Sequence, residues 1–188
     1  MSEDLLGDRR KALEEAFFAK HNAQLRQRLQ EAETARVQKD TLRTVSGITD
    51  EAVLDQLIAL GIHSETVAAL ALIPLIEVAW ADGTIEAKER QAILSAAQAA
   101  GLSEGSASYQ LLEGWLTNRP ASTLLAAWKD YVAALTATLD AAAKMTLKQD
   151  LLGRARAVAE AAGGFLGLGE KISNAERAKL TELERAFS

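Results

Sequence analysis

Apolar residues recur at helical spacing along most of the chain, and this pattern predicts a protein built from helices. The recurring apolar positions of the first 46 residues are Leu13, Phe17, Phe18, Leu25 and Leu29. We expect these side chains to bind a partner. Charged residues fill the positions between them. The pattern predicts a long amphipathic helix, either continuous or broken near residues 31–36, where the apolar stripe thins.

An amphipathic helix of this length must bury its apolar stripe against something. The stripe over residues 1–46 packs either on the protein's own body or on another chain, and the sequence leaves both alternatives open. We therefore divide the chain into an amphipathic helical arm, residues 1–46, and a helical domain, residues 47–188.

Glycine, proline and capping residues divide residues 47–188 into shorter helices. Thr49 is expected to cap a short apolar helix that Gly61 ends, and Ser64 to cap a buried helix that runs to Trp80. Pro74 lies inside that helix and should kink it or split it. The later helices are predicted at about residues 87–100, 124–139, 141–162 and 174–187, with one more that Ser103 or Ser106 caps and that runs through Leu116.

Two of the connections between helices resemble each other. When Ile85 is aligned with Ile172, Glu89 matches Glu176, and a glycine precedes the isoleucine in both stretches. Ser173 and Glu176 have the spacing of a capping box, in which the two residues satisfy each other's backbone N–H groups at a helix start. The pattern predicts two pseudo-repeated helix–loop–helix halves in an all-α compact bundle.

The segment from Trp80 to Arg90, W-A-D-G-T-I-E-A-K-E-R, resembles the TerB-like family, which is named for a tellurite-resistance protein and has relatives in some co-chaperones. The glycine-rich stretch 163–169, followed by Ile-Ser-x-x-Glu, is similar to the second half of that family. The resemblance covers about residues 64–188. It implies a helical bundle with pseudo-two-fold halves, a link to stress response and acidic metal-binding surfaces, but no defined molecular role.

Composition and charge narrow the possible classes of protein. The chain has no cysteine, which excludes disulfides, thiolate metal sites and cysteine nucleophiles, and we expect a cytoplasmic protein. The longest apolar run, residues 67–81, is too short for a membrane span and contains Glu77. Residues 47–188 carry twelve basic and eighteen acidic side chains, and this acidic balance disfavours nucleic acid as a partner.

An acidic loop is the candidate metal site. Asp82, Glu86 and Glu89 offer oxygen ligands for a divalent cation such as Ca²⁺ or Mg²⁺. A standard EF-hand is ruled out because its first and third positions would be Val78 and Trp80, whose side chains carry no oxygen. The alternative interpretation makes Asp82 a turn residue and the two glutamates helix-start charges.

No catalytic constellation emerges from the sequence. The glycine-rich stretch 163–169 lacks the spacing of a phosphate-binding loop, and His21 and His63 lie in separate segments without a triad pattern. We therefore expect a non-enzymatic interaction or adaptor module, without a cofactor, whose N-terminal helix binds a protein partner or a second copy. The alternative is a metal-ion-binding stress-response protein.

Overall fold

The computed structural model describes the backbone of residues 2–162 and 172–187, and the side chains of residues 19–161 and 172–187. All regular structure in the described residues is helical, which confirms the all-α prediction. The α-helices are α1 Ser2–Ser46, α2 Glu51–Ala59, α3 Ile73–Ala79, α4 Ala87–Ala99, α5 Ala107–Thr117, α6 Ser122–Ala137, α7 Ala141–Ala162 and α8 Asn174–Glu184. Short 3-10 helices cover Val67–Leu72 and Arg185–Phe187.

The chain divides into two compact units, Met1–Thr41 and Leu42–Ser188. The first unit consists of the larger part of α1, which runs without interruption, so the predicted alternative of a break near residues 31–36 is wrong. The boundary falls five residues before the one expected from the sequence. Leu42 explains the difference because its side chain is completely buried in the core of the second unit.

Helix α2 begins one residue later than its predicted cap implied. The carboxylate of Asp50, rather than the hydroxyl of Thr49, accepts hydrogen bonds from the backbone N–H groups of Ala52 at 2.9 Å and Val53 at 3.2 Å. Asp50 takes the role because its oxygen reaches the otherwise unpaired donors of the first helical turn.

The predicted helix from Ser64 to Trp80 is split in two, as Pro74 indicated. The first part is the 3-10 helix that follows Thr66, so the expected cap at Ser64 is wrong. The second part is α3, with Pro74 in its first turn. Proline fits there because the N–H groups of a first turn have no partner inside the helix, so the missing donor costs nothing.

Helix α3 lies at the centre of the Leu42–Ser188 unit. It contacts α4, α6, α7 and α8, and six of its seven residues are buried. Trp128 on α6 is also buried, and its ring meets Phe187 edge-on with 6.1 Å between ring centroids. The indole N–H of Trp80 donates to the backbone carbonyl of Trp115 at 2.9 Å, which ties the end of α3 to α5.

Capping boxes open both helices that follow the two similar loops. The carboxylate of Glu89 accepts the backbone N–H of Glu86 at 2.7 Å at the start of α4. At the start of α8, Glu176 accepts the N–H of Ser173 at 2.6 Å, and the hydroxyl of Ser173 accepts the N–H of Glu176 at 3.2 Å. The predicted box at Ser173 is confirmed.

Candidate partner-binding surface and acidic loop

Two of the five predicted partner-binding residues can be placed, and both present apolar side chains to solvent. Leu25 is 50% exposed and Leu29 is 62% exposed. They lie one turn apart on α1, so they share one face of the helix. Leu13, Phe17 and Phe18 lie outside the residues whose side chains are described.

The charged residues from residue 19 to Leu29 are all basic, and acidic residues follow Leu29 at Glu31 and Glu33. Residues 19–30 contain Lys20, Arg26 and Arg28 and no acidic residue. Within the described part of the chain, none of these three cations forms an ion pair. We call residues 19–30 the basic leucine segment of α1.

The next part of α1 differs because its charges neutralise one another. Arg36 lies 2.7 Å from the carboxylate of Glu33 and 3.7 Å from that of Asp40. The hydrogen bond and the charge of Arg36 hold the pKa of Glu33 below its usual range. The exposed apolar residue Val37 therefore lies among paired charges. Leu25 and Leu29 follow cations that form no ion pair with a described side chain, and Glu33 lies one turn after Leu29.

The acidic loop is organised by hydrogen bonds to its own backbone. Asp82 closes a turn by accepting the N–H of Thr84 at 3.1 Å, and Gly83 takes a φ of 99° that favours glycine. Glu86 directly precedes α4 and Glu89 caps it. These roles match the alternative interpretation, in which Asp82 is a turn residue and the glutamates start a helix.

Across the described residues, no group of three His, Cys, Asp or Glu side chains is placed to hold a metal ion. Asp82, Glu86 and Glu89 therefore do not come together as the ligand set that the sequence suggested. The physical reason is that one oxygen of Glu89 already accepts a backbone N–H and its side chain is only 4% exposed.

Glu89 has an unusual electrostatic environment. Burial raises its pKa to about 7, and the hydrogen bond from the Glu86 N–H opposes that effect. The negative charges of Glu176, Asp82 and Glu86 raise it further. Glu176, the second capping-box glutamate, is itself only 7% exposed. The two boxes thus bring two buried carboxylates close enough to influence each other.

Two further features of the Leu42–Ser188 unit were not foreseen. A part-buried network joins Lys179 to Glu77 at 3.3 Å and to Glu182 at 2.8 Å, and Glu182 also meets Lys129 at 2.7 Å. An open apolar groove of about 210 Å³ is lined mainly by the last turn of α1, the 3-10 helix at Val67–Leu72, α6 and α7.

The sequence signals for these features differ in strength. The basic leucine segment was readable in the chain, because two leucines and three cations occur in residues 19–30 without an acidic residue. Glu77 stood out as the one charge in an apolar run. The pairing of Lys179 with Glu77 joins residues about 100 positions apart, and no local pattern predicts such a contact.

No family model matches the chain, and neither a curated protein nor a solved structure matches it. No helix among the described residues is both long enough and apolar enough to cross a membrane.

Proposed function

We propose that this protein is a non-enzymatic interaction module whose N-terminal helix α1 binds a protein partner. One observation carries the proposal: Leu25 and Leu29 form an exposed apolar pair on a long helix. Isolated helices in water gain little from their own hydrogen bonds, and most helical stability in proteins comes from packing of an apolar face. A partner that covers the two leucines would supply that packing.

The Leu42–Ser188 unit serves in this proposal as the folded platform that carries α1. Its resemblance to TerB-like domains, its two similar halves and a cytoplasmic location belong to the same proposal. They are supported by the motif at Trp80–Arg90, by the matched capping boxes and by the absence of cysteine.

The alternative of a metal-binding stress-response protein has less support. It requires oxygen ligands gathered around one point, and Asp82, Glu86 and Glu89 are held instead by a turn and a helix start. We therefore retain the interaction module as the function that the geometry favours.

The proposal is tested by replacing the two leucines together, Leu25→Ser with Leu29→Ser, in the full chain. Light scattering after size exclusion reports self-association, and quantitative affinity capture reports bound proteins. We expect a captured protein or a dimer with the wild-type chain and a reduction of roughly tenfold or more with the variant, because each buried leucine contributes about 1.5–3 kcal/mol.

Val37→Ser is the matched control, because Val37 is 51% exposed on the same helix but lies among paired charges. This substitution should leave capture unchanged. The proposed interaction function is wrong if the wild-type chain is a monomer and captures the same proteins, in the same amounts, as the double variant.

A further inference from the structure

An open cavity of about 430 Å³ lies on the Leu42–Ser188 unit, between α3, α6, α8 and the turn that precedes α6. Its volume falls within the range of about 300–1,000 Å³ that is typical of pockets for small molecules. Pro120, Leu125 and Ala126 supply its apolar lining, and charged side chains line much of the remainder. A concave site that combines apolar lining with converging polar groups has the usual form of a ligand pocket.

Five charged side chains line this cavity, and four of them neutralise one another. Glu182 lies 2.7 Å from Lys129 and 2.8 Å from Lys179. Lys179 also lies 3.3 Å from Glu77. The two lysines and two glutamates therefore carry no net charge together. Arg119 is the fifth charged group, and it forms no ion pair with a described side chain, so the lining keeps one unbalanced positive charge.

The ionisation of the network favours binding over chemistry in this cavity. Hydrogen bonds from Lys129 and Lys179 lower the pKa of Glu182 to about 2, so its carboxylate is a poor proton acceptor near neutral pH. Burial tends to lower the pKa of Lys179, but the hydrogen bonds and negative charges of Glu182 and Glu77 outweigh burial and raise it. The amine of Lys179 therefore stays protonated and cannot act as a nucleophile.

We infer that the cavity binds a small organic monocarboxylate, whose carboxylate pairs with Arg119 and whose apolar body contacts Leu125 and Ala126. This inference goes beyond the proposed partner-binding function and does not depend on α1. Arg119 suits a carboxylate because a guanidinium can donate two parallel hydrogen bonds to its two oxygens. Glu182 uses one N–H of Lys129, and the remaining N–H groups are further donors on the lining.

The charge balance of the lining distinguishes between ligand classes. A dianionic phosphate would exceed the single unbalanced positive charge and would share the cavity with Glu77 and Glu182, which repel it. A cation would be repelled by Arg119 and would compete with the lysines for the two glutamates. A neutral molecule would gain only the apolar contacts. A monoanion with an apolar body matches both parts of the lining.

The test titrates the isotope-labelled full-length protein with hexanoate and follows the backbone amide signals by NMR. Acetate lacks the apolar body, whereas hexanol, hexylamine and hexyl phosphate replace the carboxylate. We expect hexanoate to shift the amide signals of Glu77 and of residues 119–129 and 179–182. It should bind at least roughly fivefold more tightly than any of the other probes, because only hexanoate combines one negative charge with apolar contact.

Two arginine variants assign the carboxylate to its partner. Arg119→Gln should weaken hexanoate binding by at least roughly fivefold, because it removes the charge and the paired donors. Arg154→Gln is the matched control, since Arg154 is an exposed arginine on α7 that does not line the cavity. It should change the affinity by less than about twofold. The same spectra show whether each variant keeps its fold.

Several results would overturn the inference. Tighter binding of hexyl phosphate than of hexanoate would exclude the monocarboxylate, and equal binding of hexanol would exclude the pairing with Arg119. Binding that Arg119→Gln leaves unchanged, shifts that spread over the surface without saturating, or no shifts at all would remove the site. None of these results bears on the test of Leu25 and Leu29, so the two proposals fail separately.

Discussion

At the residue scale, Glu89 makes the stability of the folded protein depend on pH. Its pKa is about 7 in the folded protein and 4.5 in the unfolded chain, so the folded state holds its proton more tightly. This group therefore stabilises the fold fully below about pH 4.5, and the contribution is lost as the pH rises through 7. The cause is burial of a carboxylate near Glu176, which a local sequence pattern does not reveal.

Replacing Glu89 by glutamine should stabilise the protein in alkaline solution. Glutamine keeps an oxygen that can accept the N–H of Glu86 and carries no charge, so the capping box survives. We expect the free energy of unfolding in urea to rise by about 2 kcal/mol near pH 8 and to change little near pH 4.5. The exposed residue Glu113, replaced by glutamine, serves as the control. A wild-type stability that is flat between these pH values would contradict the account.

The contribution of Glu182 to stability should have the opposite pH dependence from that of Glu89, because it is lost in acid. Hydrogen bonds from Lys129 and Lys179 lower its pKa to about 2, so its contribution to stability is present above pH 4.5 and fades as the pH falls through 2. Because Glu182 is partly exposed, we expect Glu182→Gln to cost less than about 1 kcal/mol at pH 7 and to cost nothing near pH 2. Thermal unfolding across this range measures the difference, and a larger loss at pH 2 than at pH 7 would argue against the network.

At the element scale, the sequence predicted most helices because apolar periodicity, glycine ends and Pro74 are local signals. Its errors fell at helix starts, where neighbouring residues compete for the same role. Thr49 and Asp50 both have suitable side chains, and only the backbone geometry assigns the cap to Asp50. The continuity of α1 was also undecided, since a thinning apolar stripe is compatible with a break or with a solvent-exposed helix.

The two candidate caps of α2 give a direct comparison. Asp50→Ala removes the acceptor for the N–H groups of Ala52 and Val53, so it should reduce the free energy of unfolding by about 1 kcal/mol. Thr49→Ala should cost less than about 0.5 kcal/mol, because its exposed side chain makes no capping bond. Chemical denaturation of both variants tests the assignment, and equal losses would contradict it.

At the scale of the whole molecule, the division at Leu42 has a measurable consequence. A chain that begins at Leu42 retains the completely buried side chain of this residue and the ion pair of Arg43 with Glu51, whereas a chain that begins at Gly47 loses both. We expect the shorter chain to unfold with a free energy lower by about 2–5 kcal/mol, mostly from the lost leucine. Equal stability of the two fragments would contradict a boundary at Leu42 and would support one between residues 46 and 47.

The candidate site was predictable from the sequence only in part. The exposed leucines follow from helical spacing, and Asp82, Glu86 and Glu89 from a short acidic motif. The motif did not reveal that a capping box already occupies an oxygen of Glu89, since the same residue types serve a metal ion or a helix start. Burial and contacts between distant residues decide between such uses.

Cross-linking in a native cell extract shows whether α1 binds a protein through the segment around Leu25 and Leu29. Lys20 carries an amine within this segment. We predict that mass spectrometry finds Lys20 linked to one other protein, and that Leu25→Ser with Leu29→Ser removes this link while cross-links within residues 42–188 persist. A set of Lys20 cross-links that the double variant leaves unchanged would contradict the account.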